Sequence, residues 1–256
     1  MLRFICSDLK SIFARKDTYM YLAGTVILIL IANIAVMSFR FIYGANEGTY
    51  AYNLLEYATW CFIIPYYSCI FIAHIVMGKS YPNPNIKDKN TSGLNRTKIY
   101  LSKLIACIII GAIFMIFAMF ALIGITSLFQ LGDGGLTAYA IKDFLGKMVI
   151  ATSVWYAGVS FGIMFLFIFE NRRQAYLWFA VLTIIIPRFI MFFAAEPFRI
   201  GVFRLVRKYT LTQNLSLVPY FADPSRNVPL TIALGVLYGT IATVIGCICY
   251  NKKKFK

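Results

Sequence analysis

The stretch LIACIIIGAIFMIFAMFALIGITSL, residues 104–128, decides the class of fold. It contains no charged residue, and at about 1.5 Å per residue a helix of this length exceeds the roughly 30 Å hydrocarbon core of a bilayer. The stretch is continuously apolar, whereas the strands of a membrane barrel alternate apolar and polar positions over about ten residues. The sequence therefore predicts a transmembrane α-helix.

Further runs of the same kind predict an all-α membrane protein with six transmembrane helices in a single domain, residues 1–256. The predicted spans are Tyr19–Phe39, Ala58–Gly78, Leu104–Leu128, Met148–Phe169, Tyr176–Ala195 and Leu230–Tyr250. The composition agrees, because 60% of the residues are hydrophobic and 14% are charged, against about 25% charged in globular domains. A soluble globular domain is excluded.

The net charge of +15 is unevenly distributed over the loops. Of the 25 Lys and Arg residues, 16 lie in the two termini and in the second and fourth loops, and nine lie on the other side. The positive-inside rule then predicts that both termini are cytoplasmic. Because this topology accounts for the charge, membrane lipid is an expected partner and nucleic acid is not.

Two segments outside the spans are amphipathic. Residues 1–18 carry apolar side chains at helical spacing with basic residues between them, which predicts a helix lying in the membrane interface. The segment 196–229 includes an apolar and basic stretch, Phe198–Lys208, that is too short to span the bilayer. We expect that stretch to pack in the outer leaflet or to re-enter it.

Polar residues within predicted spans are candidates for a substrate path or a gate, because they are costly at membrane depth. They are Asn33, His74, Pro187 and Arg188. Simpler roles stay open: Asn33 and His74 could hydrogen-bond between helices, Pro187 could break the fifth helix, and Arg188 could extend to the outer surface. None of the predicted spans contains Asp or Glu, which disfavours proton coupling.

Two G-x-x-x-G patterns, Gly158 with Gly162 and Gly235 with Gly239, favour close packing of helices, within the bundle or between copies. The first pattern also reads G-x-S-x-G around Ser160, the motif of serine hydrolases. An intramembrane hydrolase stays an unfavoured alternative, because the motif lies inside an apolar run and His74, the single histidine, lies in another span.

The sequence contains no G-x-x-x-x-G-K-[ST] motif and no polar stretch long enough for a nucleotide-binding domain. If the chain pumps, a separate subunit hydrolyses the ATP. We therefore expect a transport subunit rather than an enzyme, with no cofactor of its own. No metal site is expected either, because Cys247 and Cys249, two residues apart on a helix, point to nearly opposite sides.

The second loop, residues 79–103, resembles that of the permeases of bacterial type-2 ABC exporters. The matching residues are Gly93, Arg96 and the run Ile99–Lys103 that leads into the third span. The whole plan of the chain is similar to that family as well. The resemblance implies a coupling loop that contacts an ATPase subunit through Asn85, Ile86, Lys87, Asp88, Lys89, Gly93 and Arg96.

The resemblance also implies partners and a location. It implies a bacterial cell membrane, a second permease copy as homodimer or heterodimer, and an ABC ATPase that binds ATP and Mg²⁺. The cargo would be amphipathic or hydrophobic, such as toxin or antimicrobial peptides, as in exporters of phenol-soluble-modulin-type peptides. The alternative function is that of a passive channel or a structural membrane protein.

Overall fold

The structure is a computed structural model, and it describes residues 9–43, 50–78, 96–129, 136–195, 198, 200–220 and 228–253. All regular secondary structure in these ranges is helical. The helices are α1 (Lys16–Tyr43), α2 (Tyr50–Trp60), α3 (Ile63–Met77), α4 (Arg96–Phe129), α5 (Ala138–Ile168), α6 (Arg172–Ala194), α7 (Gly201–Lys208), α8 (Leu211–Leu217) and α9 (Val228–Lys252).

Five of these helices, α1, α4, α5, α6 and α9, are long and apolar enough to cross a membrane. The expectation of an all-α membrane protein is therefore confirmed. The span predicted at Ala58–Gly78 instead falls on α2 and α3, which are bent by 58° and would count as a sixth span only if they cross as one unit.

The bend between α2 and α3 has a cause in the sequence. A proline ring clashes with the carbonyl four residues before it and cannot donate to that carbonyl. Pro65 therefore breaks the helix at Cys61 and Phe62, where the hydrogen bonds change to a turn. The carbonyl of Phe62 accepts a hydrogen bond from the indole N–H of Trp155 on α5, at 3.0 Å.

Several helices continue beyond the predicted membrane boundaries. Helix α4 begins at Arg96, so the last eight residues of the predicted loop 79–103 are helical. Helix α5 begins at Ala138, ten residues before the predicted Met148, because the Thr137 hydroxyl caps it by accepting from the Ala140 N–H at 3.2 Å. The apolar run predicts which part of a helix lies in lipid, whereas capping residues and helix-breaking residues determine where the helix itself begins.

Part of the predicted interfacial helix 1–18 lies in the described residues. Residues 9–13 are helical, and a turn separates them from α1. Ile12 is fully buried and Leu9 packs against the core. In this part the apolar face lies against the bundle.

Helix α5 is the centre of the bundle and packs against both α3 and α9. In its most apolar stretch of 18 residues, 67% of the residues are buried, against 6% for α1. The glycine pairs form the close contacts. A Cβ on Gly158 would lie 3.0 Å from the Cys69 sulfur on α3, and one on Gly235 of α9 would meet the backbone of Ser153.

Helix α6 contains a π-helical turn, Val181–Ile185, just before Pro187. The proline has no N–H to donate to the carbonyl of Thr183, and the N–H of Ile186 bonds to the carbonyl of Val181 five residues back. The helix therefore continues through Pro187 as one span. At Pro187, where a break is one of the expected roles, the helix is only locally widened.

Candidate functional site

One end of the bundle gathers helix termini and basic residues, and we call it the basic end. Helices α1, α4 and α6 begin there, and α3, α5 and α9 end there, as the hydrogen bonds between their terminal residues show. Because alternate helices run in opposite directions, the first and last described residues of the chain lie at this same end.

His74, in the last turn of α3, is the centre of one polar cluster at the basic end. Its Nδ1 lies 2.7 Å from the Tyr176 hydroxyl, and its Nε2 lies 3.5 Å from the Arg172 guanidinium. A guanidinium can only donate, so Nε2 is the acceptor and Nδ1–H donates to Tyr176. His74 therefore ties the end of α3 to the first turns of α6.

Gly78 ends α3, and two arginines contact this terminus. Its φ of +50° belongs to the left-handed region that favours glycine, and the Arg15 guanidinium fills the space where a Cβ would lie. Arg172 donates to the Gly78 carbonyl at 3.1 Å, and Arg15 donates to the carbonyl of Ile75. Cations at the carbonyl end of a helix also interact favourably with its dipole.

A second polar cluster holds the start of α4 to the end of α9. Arg96 donates to the carbonyls of Asn251, at 3.2 Å, and Lys253, at 2.7 Å. The Asn251 side-chain amide donates to the Thr97 hydroxyl at 2.9 Å. The start of α4 and the end of α9 are thus joined by hydrogen bonds to both backbone and side-chain acceptors.

Lys253 extends the second cluster to α5. Its ammonium group donates to the carbonyls of Phe167, at 3.3 Å, and Ile168, at 3.2 Å, at the C-terminus of α5. Partial burial lowers the pKa of Lys253, and the negative charge of Glu170 opposes that shift. The ammonium thus caps a helix at the expense of some of its hydration.

Only one of the predicted coupling residues lies in the part of the chain that the structure describes. Arg96 lies in the second cluster, and the remaining six, at positions 85–89 and 93, lie outside the described residues. The segment 79–95 leaves the bundle at Gly78 and returns at Arg96, both at the basic end. Its two attachment points are therefore fixed by arginine hydrogen bonds to backbone carbonyls.

The four candidates for a path or gate do not form one site. Asn33 is buried in α1, where its amide donates to the Ile29 carbonyl at 2.9 Å, within its own helix. Pro187 is buried and Arg188 is exposed, near Tyr67 of α3. Arg188 is roughly 24 Å along α6 from Arg172 at 1.5 Å per residue, so it is remote from the His74 cluster.

Ser160 has no arrangement for nucleophilic catalysis in the described part of the chain. Its hydroxyl is buried in α5 without a hydrogen-bond partner, and His74 bonds to Tyr176 and Arg172 instead. The flanking glycines pack against α3, where a Cβ on Gly162 would lie 3.2 Å from the Ala73 Cβ. The motif is used for packing.

Sequence reasoning missed the residues that complete both clusters: Arg15, Arg172, Tyr176 and Lys253. A usable signal existed for the three basic residues, because each lies at or just outside a helix end, where unpaired carbonyls attract donors. Tyr176 lies inside α6 and gave no such signal. Among the described residues, no group of three or more His, Cys, Asp or Glu side chains could hold a metal ion.

In comparisons with known proteins, no protein-family model, no curated protein and no solved structure matches the chain.

Proposed function

We propose that the chain is the membrane-spanning permease subunit of an ATP-driven exporter, in which segment 79–95 docks on a separate ATPase subunit. The observation that supports this proposal is the anchoring of both ends of that segment at the basic end of the bundle. Gly78 is held by Arg15 and Arg172, and Arg96 by the end of α9.

Anchoring matters because a coupling element must transmit force. A segment attached by flexible ends would absorb the movement of its partner. Here a displacement at Gly78 is passed to α6 through Arg172, and one at Arg96 is passed to α9 and α5 through Lys253. Movement of a docked partner would therefore reach α5, α6 and α9, as well as α4, which begins at Arg96.

The proposed topology has six spans, with α2 and α3 crossing together, and both termini and the basic end in the bacterial cytoplasm. The basic segment 79–95 then faces cytoplasmic proteins, and an acidic groove on the ATPase is its complementary surface. The stretch Phe198–Lys208 lies in or re-enters the outer leaflet on the opposite side.

The proposed cargo is an amphipathic or hydrophobic molecule, with peptides such as toxins or antimicrobial peptides as the first class to test. Two permease copies, identical or related, would enclose its path, and ATP with Mg²⁺ would bind to the partner ATPases. Alternating access is the proposed mechanism: closure of the ATPases moves the anchored segment, and the helices repack toward the outside.

The test is purification of the tagged, full-length chain in mild detergent from its native cells. We expect an ATPase with a P-loop to co-purify, and amphipathic helical peptides to stimulate ATP hydrolysis by the reconstituted complex. Lys87→Glu and Lys89→Glu should each weaken the ATPase affinity about tenfold, a loss of about 1.4 kcal/mol. Lys142→Glu, an equal charge change on an exposed residue near the start of α5 at the opposite end, is the matched control.

Two results together would overturn the exporter proposal: no ATPase accompanies the chain, and deletion of Ile86–Arg96 leaves its behaviour in cells unchanged. An ATPase that binds equally well to the Lys87, Lys89 and Lys142 variants would remove the docking role of segment 79–95. Ion flux through the purified chain alone would favour a channel.

A further inference from the structure

Helix α7 (Gly201–Lys208) separates its side chains into two faces with the same spacing. Val202, Leu205 and Val206 occupy positions i, i+3 and i+4, and so do the bases Arg204, Arg207 and Lys208, two residues further along. Residues two apart on a helix point to nearly opposite sides. One face is therefore wholly apolar and the other wholly basic, without an acidic residue.

In the part of the chain that the structure describes, the apolar face of α7 remains exposed. Val202 is 71% exposed, Leu205 62% and Val206 38%, and α7 contains no buried residue. The next helix, α8, is the opposite case, since Leu211, Thr212, Asn214 and Leu215 are buried. The chain thus buries α8 against the bundle and leaves α7 on its outside.

The position of α7 is nevertheless fixed. Its Phe203 ring contacts the rings of Phe189 and Phe193 on α6, with centroids 6.2 and 5.3 Å apart. At its other end, the buried Asn214 amide donates to the Lys208 carbonyl at 2.8 Å, and Arg207 donates to Gln213 at 2.9 Å. A surface held at both ends presents its two faces in a defined direction.

Helix α7 packs, through Phe203, on a part of α6 that has exposed aromatic side chains. Phe189 and Phe192 are exposed on the span α6, and the exposed Phe198 contacts Phe192 between α6 and α7. Exposed apolar side chains beside the end of a span-length helix, next to exposed bases, match the arrangement of helices that lie in the membrane interface.

We propose that α7 lies in the membrane interface at the end of the bundle opposite the basic end and binds the phosphates of anionic lipids through Arg204 and Lys208. Both side chains are exposed, and nothing on α7 neutralises them. Arg207 is oriented by Gln213 and positions the basic face. A re-entrant helix would instead have to bury these bases in hydrocarbon.

This proposal requires only that the chain spans a membrane, so it does not depend on the exporter function. The first test measures where each face lies. Leu205→Trp and Arg204→Trp, a matched pair on opposite faces, are reconstituted as full-length chain in vesicles of phosphatidylcholine and phosphatidylglycerol. Quenching by acyl-chain-brominated phosphatidylcholine is measured relative to the unaltered chain.

We expect the fluorescence added by Leu205→Trp to be quenched at least twofold more than that added by Arg204→Trp. Equal, strong quenching of both would show re-entry, and weak quenching at Leu205 would show that a second copy or another protein segment covers the face. Either result overturns the proposal.

The second test measures lipid selectivity in the same vesicles. The double variant Arg204→Gln/Lys208→Gln should lower the preference for phosphatidylglycerol over phosphatidylcholine, measured with spin-labelled lipids, by about fivefold for each base removed. The swapped variant Arg204→Lys/Lys208→Arg keeps both charges and should retain the preference. An unchanged preference in the Gln variant contradicts phosphate binding by α7.

Discussion

Helices α1 and α5 are both long and apolar, yet they occupy opposite environments. In the most apolar stretch of α1 only 6% of the residues are buried within the chain, against 67% in α5. Helix α1 exposes large side chains such as Ile27, Leu28 and Ile31, whereas α5 meets its neighbours through Gly158 and Gly162. An apolar sequence allows a helix to span the membrane, and small residues on its surface determine which other helices it packs against.

The largest effect that would test this comparison comes from adding volume at a helix contact. Gly235→Leu should lower the free energy of unfolding by about 3 kcal/mol or more, because its Cβ would meet the backbone of Ser153 on α5. Gly24→Leu on α1 is the control, since nothing lies within 4 Å of that position. Thermal unfolding in detergent measures both, and equal midpoints would break the comparison.

Removing volume should give the next largest difference. Ile163→Ala on α5 should cost about 2 kcal/mol, because lipid cannot fill the cavity left by a fully buried side chain. Ile27→Ala on α1 should cost less than about 0.5 kcal/mol, since its side chain is 54% exposed. Denaturation of both variants in the same detergent gives the two values. A similar cost at both positions would mean that another molecule covers α1.

The next test concerns the packed helix α5 at the basic end, where Lys253 caps its C-terminus. Lys253→Met should cost about 1.5 kcal/mol, because the carbonyls of Phe167 and Ile168 lose a charged donor. The exposed neighbour Lys252→Met carries the same change of charge and size and should be neutral. Amide hydrogen exchange at the end of α5 reports the local effect, and equal exchange in both variants would remove the capping role.

The smallest expected effect concerns the attachment of α1. The Tyr21 hydroxyl lies 2.9 Å from that of Ser68, which itself donates to the Pro65 carbonyl, so Tyr21 is the donor. Tyr21→Phe should cost about 0.6 kcal/mol, the typical value for a hydrogen bond between membrane helices. Tyr19→Phe, on a side chain 59% exposed, is the control. A cost above about 2 kcal/mol for Tyr21→Phe would show that α1 is held more firmly than its exposure suggests.

The sequence predicts the helical class well because continuous apolar runs such as residues 104–128 admit no other membrane structure. It predicts helix ends poorly, as at Arg96 and Ala138, because polar residues outside the apolar run are also helical and the cap at Thr137 lies beyond that run. The bend at Cys61 could have been predicted from Pro65. The number of crossings could not, because composition does not record the 58° angle between α2 and α3.

The candidate residues were predicted individually, and their grouping was not. His74 was singled out as a polar residue at membrane depth, but its partner Tyr176 lies 102 residues away in the sequence. Arg96 was selected from the loop pattern, yet its acceptors lie at the far end of the chain. Spacing identifies a residue that is costly to bury, and only the packing of helices shows which donor or acceptor offsets that cost.

The wide turn Val181–Ile185 holds one residue more than a regular α-turn and so sets the angular phase between the two halves of α6. One residue corresponds to about 100° of rotation about the helix axis. Before the turn, Tyr176 faces His74, and after it, Phe189 and Phe193 face α7. If the same residues were wound as a regular α-helix, the extra residue would rotate one half of α6 by more than a quarter of a revolution. The His74 cluster at one end and the contact of α6 with α7 at the other could then not both persist.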